Sequence, residues 1–224
     1  MSSARHDETC QVYGSTTITY IYDPLQRVKE ANYSNGDYYH YTYDAVGNRL
    51  TQNKSIIGLL TTDTYVYDNA NRIASANGVN YNYDATGNLL NDGLNIYVYD
   101  SANRLKSMTQ GVNTSTFGYN GLGDRLTQNG VHYTLDLNTG LTQVLNDGTN
   151  NYVYGLGRIL QVNTSTEYFL GDALGSVRQL ANNTGAITYA KSYDPYGVVA
   201  SASGVSQSAY GYTEIGRASC RERV

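Results

Sequence analysis

Tryptophan is missing from this 224-residue chain, and phenylalanine, proline, methionine and cysteine appear only twice each. The aromatic complement is therefore almost all tyrosine, 24 residues, so the surface available for burial carries hydroxyls nearly everywhere. Charged residues make up only 15% of the chain, and the Leu, Ala, Glu and Lys that a helical bundle needs are too few. No apolar run approaches the length of a membrane-spanning helix, and the opening MSSARHDETCQ lacks the apolar centre of a signal peptide. Cys10 and Cys220 make no disulfide framework in so long a chain. His6, His40 and His132 are scattered, and His6 with Cys10 is too small a ligand set to close a metal site. No cofactor or metal is expected. A formal net charge of −4 argues against a nucleic-acid partner, which needs a basic face for phosphates.

What is present is an inventory for strands. Tyr, Thr, Val and Ile favour the extended, half-buried backbone, which makes disorder a poor account of the chain and an all-β protein the expectation. Internal repetition is visible directly. Clear units begin IYDPLQRVKEA, TYDAVGNRLTQ, VYDNANRIASA, NYDATGNLLND and VYDSANRLKSM, giving the pairs Tyr22-Asp23, Tyr43-Asp44, Tyr67-Asp68, Tyr83-Asp84 and Tyr99-Asp100. Looser copies follow at Tyr119-Asn120, Leu135-Asp136 and Tyr154-Gly155, and SYDPYGVVASA supplies Tyr193-Asp194.

Each unit reads as a hairpin. Tyrosines at i and i+2 (Tyr65 and Tyr67, Tyr97 and Tyr99) share one face of a strand. The following Asp-x-x-Gly/Asn pairs Asp44 with Gly47, Asp68 with Asn71, Asp84 with Gly87 and Asp100 with Asn103, and Asp194-Pro195-x-Gly197 adds proline at the second position. These are type I turn preferences, with Gly or Asn able to take the left-handed conformation that closes a three-residue loop with a bulge. Second turns of Asn-Gly or Asp-Gly type, at Asn35-Gly36, Asn77-Gly78, Asp92-Gly93, Asn129-Gly130 and Asp147-Gly148, return the chain to the next unit. The fold expected is a repetitive antiparallel hairpin meander forming a curved sheet. A β-propeller is the rival architecture, disfavoured by the uneven spacing of units.

An aspartate at every turn is better explained as a side chain bonding local amides than as a catalytic acid. The tyrosine rows are expected to be cross-strand packing contacts; a sugar-stacking platform is the alternative. Nucleotide-binding, zinc-protease and serine-hydrolase motifs are missing, and no enzyme activity is expected. The sequons at Asn32 and Asn113 are of the kind that chance supplies in a chain rich in Asn, Ser and Thr.

The Tyr-Asp units with a following Gly-Asn-Arg-Leu, as in YTYDAVGNRL at 41–50, resemble RHS/YD-repeat proteins. The stretch from Tyr168 to Tyr212, with Asp172-Ala173-Leu174-Gly175-Ser176-Val177-Arg178 and Tyr193-Asp194-Pro195-Tyr196-Gly197, resembles the RHS-repeat-associated core. The resemblance implies a teneurin- or Tc-toxin-like shell in which many repeats enclose a C-terminal toxin, in a secreted or surface-delivered bacterial protein. Its implied partners are the remaining repeats of its own chain and the enclosed toxin, and its implied location is extracellular or at the cell surface. A surface adhesin or carbohydrate-binding module is the alternative. In many bacterial members an aspartate-dependent cleavage site ends the core; Asp194-Pro195 belongs to the repeat motif instead, so no catalytic residue carries over. The expected organisation is a poorly ordered segment at 1–11, repeats at 12–166 and a truncated core at 167–213. The last eleven residues, EIGRASCRERV, read as the in-frame translation of a sequencing adapter, with a short basic arm as the alternative.

Overall fold

In the computed structural model, residues 8–12, 16–138, 140–205 and 208–212 are described, and they divide between two compact units, Met1–Gly93 and Leu94–Val224. In the first unit eight strands form one antiparallel sheet in strict chain order. They are β1 Glu8–Val12, β2 Thr16–Tyr22, β3 Val28–Tyr33, β4 Tyr38–Tyr43, β5 Arg49–Ile56, β6 Leu59–Tyr67, β7 Ile73–Ala76 and β8 Val79–Asn80. A further hairpin pairs β9 Asn82–Tyr83 with β10 Leu89–Asn91.

The second unit continues the same logic. β11 Asn95–Tyr99, β12 Leu105–Gln110, β13 Asn113–Tyr119, β14 Arg125–Gln128 and β15 Val131–His132 pair successively. An eight-stranded antiparallel sheet follows, again in chain order. Its strands are β16 Thr134–Asp136, β17 Gln143–Asn146, β18 Asn151–Tyr154, β19 Arg158–Val162, β20 Thr166–Gly171, β21 Val177–Asn182, β22 Ile187–Tyr193 and β23 Val199–Gly204. The fold is all-β, a hairpin meander.

Glu8–Gln11, within the segment 1–11 expected to be poorly ordered, lie in β1, where their backbone pairs with Thr17–Tyr20; residues 1–7 lie outside the described residues. The expected junction at 166/167 falls on the first residues of β20, inside a continuous sheet. The core segment is built from the same hairpins as the repeats, so its strands extend the ladder. The tail at 214–224 lies outside the described residues.

Two buried apolar clusters mark the core, one in each unit. In the first unit Ile18, Ala31, Tyr39 and Tyr41 are buried, with Tyr20, Tyr33, Tyr43 and Ile56 packed against them. In the second, Val144, Tyr152, Val177, Leu180 and Tyr210 form the corresponding cluster. Strand periodicity sends alternate residues to the other side, and there Val66, Ile96, Val98 and Val153 stand exposed.

Candidate functional site

The repeated turn is the unit from which the site is built. In nine hairpins the first residue, Asp or Asn, donates its amide to the carbonyl four residues on, and its own carbonyl accepts from the amide three residues on. The first residues are Asp23, Asp44, Asp68, Asp84, Asp100, Asn120, Asp172, Asn182 and Asp194. The residue at the third step is left-handed: Gly47 at φ 103°, Gly87 at 89°, Gly197 at 88°, Asn71 at 59° and Asn103 at 58°. Gln26, at φ 63°, fills the same place after Asp23. A register shift follows where β2, β4, β6, β11 and β22 meet their return strands, the bulge that this loop geometry demands.

One carboxylate oxygen of each turn aspartate accepts backbone amides. Asp68 Oδ1 takes those of Ala70 and Arg72, and Asp100 Oδ1 those of Ala102 and Arg104. Asp194 Oδ1 takes those of Tyr196 and Val198, while Pro195, which has no amide to offer, occupies the corner. The second oxygen holds the side chain four residues on: Arg27, Arg72 and Arg104 through Nε at 2.6 to 2.8 Å, and Asn48 and Asn88 through Nδ2 at 2.8 Å. Asp172 holds Arg178 at 2.8 Å.

The fixed guanidinium then lies over a tyrosine of the next unit. Arg27 stands 4.6 Å from the Tyr43 ring, Arg72 4.6 Å from Tyr83, Arg104 5.0 Å from Tyr119 and Arg178 4.9 Å from Tyr193. With or without that arginine, the hydroxyl of the next unit's tyrosine donates to the carbonyl of the residue five places after the turn aspartate. Tyr43 reaches Val28, Tyr67 reaches Arg49, Tyr83 reaches Ile73, Tyr119 reaches Leu105 and Tyr193 reaches Val177, at 2.5 to 3.0 Å. Aspartate, arginine and the next tyrosine thus form a clasp that ties one hairpin to its successor.

Electrostatics keep the clasp in one protonation state. The amide and guanidinium of Arg72 hold the Asp68 carboxyl below the usual carboxylate range, and those of Arg104 do the same for Asp100 against some desolvation. The Asn88 side chain, chiefly, takes Asp84 down to about 2. Burial pushes the Tyr67, Tyr83 and Tyr193 phenols up, so they remain donors at neutral pH. Ionised carboxylates already shared among amides and cations, and phenols committed to carbonyls, are arranged to hold backbone in place.

Sequence reasoning located the aspartates and tyrosines but not the arginines that join them. Arg27, Arg72 and Arg104 recur four residues after an aspartate, a spacing that a search for turn residues passes over. Asp172, Asn120 and Asn182 also make the same turn, a kinship carried by their Asp/Asn-x-x-Gly spelling. Tyr22 packs against Tyr20 with ring centroids 6.5 Å apart, and Tyr99 closes β11 opposite Leu105.

This geometry defines a repetitive β-hairpin scaffold whose characteristic residues are spent on joining repeats. The family profile described as Teneurin YD-shell matches residues 7–213, and the chain belongs to that family. No curated protein matches it. Solved structures similar to it include a TcdB2-TccC3-Cdc42 complex (16% identity, TM-score 0.44) and a mutant Tc holotoxin pore from Photorhabdus luminescens (17%, 0.42). A TcdB2-TccC3 structure is similar at 15% identity and TM-score 0.39. Each match covers 90% of this chain and 16% of the other, so the chain spans about a sixth of the length of those proteins.

Proposed function

We propose that this chain is a stretch of the wall of an RHS shell, and that the full-length protein encloses a C-terminal toxin or effector for delivery outside a bacterial producer. The observation that carries this reading is the clasp itself, which recurs at the hairpins of Asp23, Asp68, Asp100 and Asp172 with the same three residue types. A wall of hairpins needs each turn fixed to the next strand, and the clasp does that at Asp23, Asp68, Asp100 and Asp172. The extracellular or surface location and the enclosed cargo come from the family resemblance of YTYDAVGNRL and the 168–212 stretch. The hydroxyls of Tyr43, Tyr67, Tyr83, Tyr119 and Tyr193 are engaged with backbone carbonyls, which favours a wall over a sugar-stacking platform.

Limited proteolysis of the full-length protein tests the proposal. The segment following the shell should resist trypsin in the native protein and become cleavable when Arg72→Met and Arg104→Met are combined. A C-terminal segment digested equally fast in both would refute enclosure. Glycan binding abolished by Tyr97→Ala with Tyr99→Ala would instead support the carbohydrate-binding alternative.

A further inference from the structure

One hairpin of the second unit departs from the repeat, and a distant segment of the chain sits on it. Between β18 and β19 the loop is short: Gly155 stands where other units carry aspartate, its amide bonds the carbonyl of Gly157, and Arg158 already pairs with Tyr154 in the ladder. The arginine therefore has no turn carboxylate. Its guanidinium lies among rings instead, 5.8 Å from the Tyr154 centroid, 5.4 Å from Phe169 and 3.0 Å from Tyr210.

Tyr210 arrives from beyond the last strand. It is 5% exposed and meets Tyr152 edge-on at 4.9 Å and Phe169 at 6.0 Å. Its hydroxyl lies 3.1 Å from that of Tyr154. The Tyr154 proton is committed to the Val144 carbonyl, so Tyr210 is the donor between the two phenols. The backbone is held as firmly as the ring. Lys191 Nζ donates to the Tyr210 carbonyl at 2.7 Å, and the Val177 amide donates to the Gly211 carbonyl at 2.9 Å. Two residues on, Tyr212 packs against Tyr193 at 5.4 Å and lies over Gly197, where a Cβ would stand 2.4 Å from its ring.

We infer that residues 208–212 are an anchoring strap, and that Arg158, Tyr152, Tyr154 and Phe169 form a socket for the strap's Tyr210. Tyr210 and Tyr212 each dock on aromatic residues of the C-terminal sheet, Tyr210 on Tyr152 and Phe169 and Tyr212 on Tyr193. The Arg158 guanidinium, 3.0 Å from the Tyr210 centroid, holds the incoming ring by a cation–π contact. The strap fixes the point at which the chain leaves the C-terminal sheet. Arg158 acts as a positioning residue for it. This inference stands on the geometry of the second unit and does not depend on any cargo.

Hydrogen exchange of the full 224-residue chain, followed by mass spectrometry, tests it. In the native chain the amides of Val177, bonded to the Gly211 carbonyl, and of Tyr210 should be protected. Tyr210→Ala and Arg158→Met should each accelerate exchange of those amides by roughly tenfold or more, with β20 and β22 left near native protection. Arg158→Lys, which keeps the cation, should fall between. An unprotected Val177 amide in the native chain, or unchanged Val177 exchange in Tyr210→Ala, would overturn the strap. Equal loss of protection across β20 to β22 in Tyr210→Ala would overturn it too, marking Tyr210 as an integral core residue.

Discussion

Arg72 lies 4.6 Å over the ring of Tyr83, and the hydroxyl of the same tyrosine donates to the carbonyl of Ile73, the residue directly after that arginine. One side chain thus touches a cation and the backbone beside it. Removing only the hydroxyl, in Tyr83→Phe, should lower stability by about 1 kcal/mol, the net worth of an ordinary hydrogen bond. Tyr83→Ala, which also removes the half-buried ring, should cost about 2 to 3 kcal/mol. Urea denaturation midpoints of the two variants against wild type measure both. An equal effect of the two substitutions would mean that ring packing contributes nothing.

Asp100 separates the two jobs of the turn carboxylate, accepting the amides of Ala102 and Arg104 with one oxygen and the Arg104 side chain with the other. Asn120 and Asn182 accept amides in the same way without an ionised group. Asp100→Asn keeps the acceptor for the amides but sets an Nδ2 donor against the Arg104 donors, so it should lower the thermal midpoint partway, while Asp100→Ala, lacking both acceptors, should fall further. Scanning calorimetry orders the three. Asparagine falling as far as alanine would show that the arginine contact, not the turn, is decisive.

The strand period and turn residues were legible in the sequence because both are local. Tyr65 with Tyr67 and Asp68 with Asn71 announce a strand and its turn within seven residues. The clasp was not legible, because Arg27 meets Tyr43 and Arg104 meets Tyr119 only once the sheet sets neighbouring hairpins side by side. The second set of turns was mixed for a related reason. Asn77-Gly78 and Asn129-Gly130 are two-residue loops with both residues left-handed, whereas at Asn35-Gly36 only the glycine is, and Tyr33 takes the place of aspartate. Spelling alone does not distinguish a two-residue loop from a bulged three-residue one; the register of the flanking strands does. The Tyr210 contact lies 52 residues from Arg158 along the chain and left no pattern that local spacing could disclose.

The turn carboxylates fix the direction of acid sensitivity. Asp68, Asp84 and Asp100 have depressed values in the folded chain, Asp84 reaching about 2. A depressed folded value means that their stabilisation is present above the unfolded value of about 4 and is lost as pH falls through the folded one. Thermal midpoints should therefore be level between about pH 5 and 7 with respect to these groups and decline from about pH 4 towards 2. Circular dichroism melts across that range provide the check. In Asp84→Asn the decline should be shallower, and a decline already under way at pH 6 in wild type would assign acid sensitivity to other groups.

The hairpin joining β5 and β6 turns through Ile57 at φ 52° and Gly58 at φ 76°. Two consecutive left-handed residues suit Asn-Gly, which occupies the matching places at Asn77-Gly78 and Asn129-Gly130. A β-branched side chain is unfavourable there, because its Cβ crowds the backbone carbonyl. Ile57 gains little in return: it is 93% exposed, and it is its backbone amide that donates to Asp37 Oδ1. Ile57→Asn keeps that amide, relieves the conformation and removes an exposed apolar group, so it should stabilise the chain by about 1 kcal/mol. Ile57→Val, equally branched, should give no gain. The pair is read from urea midpoints at constant m value, and a loss of stability in Ile57→Asn would mean that the isoleucine side chain makes a contact worth more than the strain it imposes.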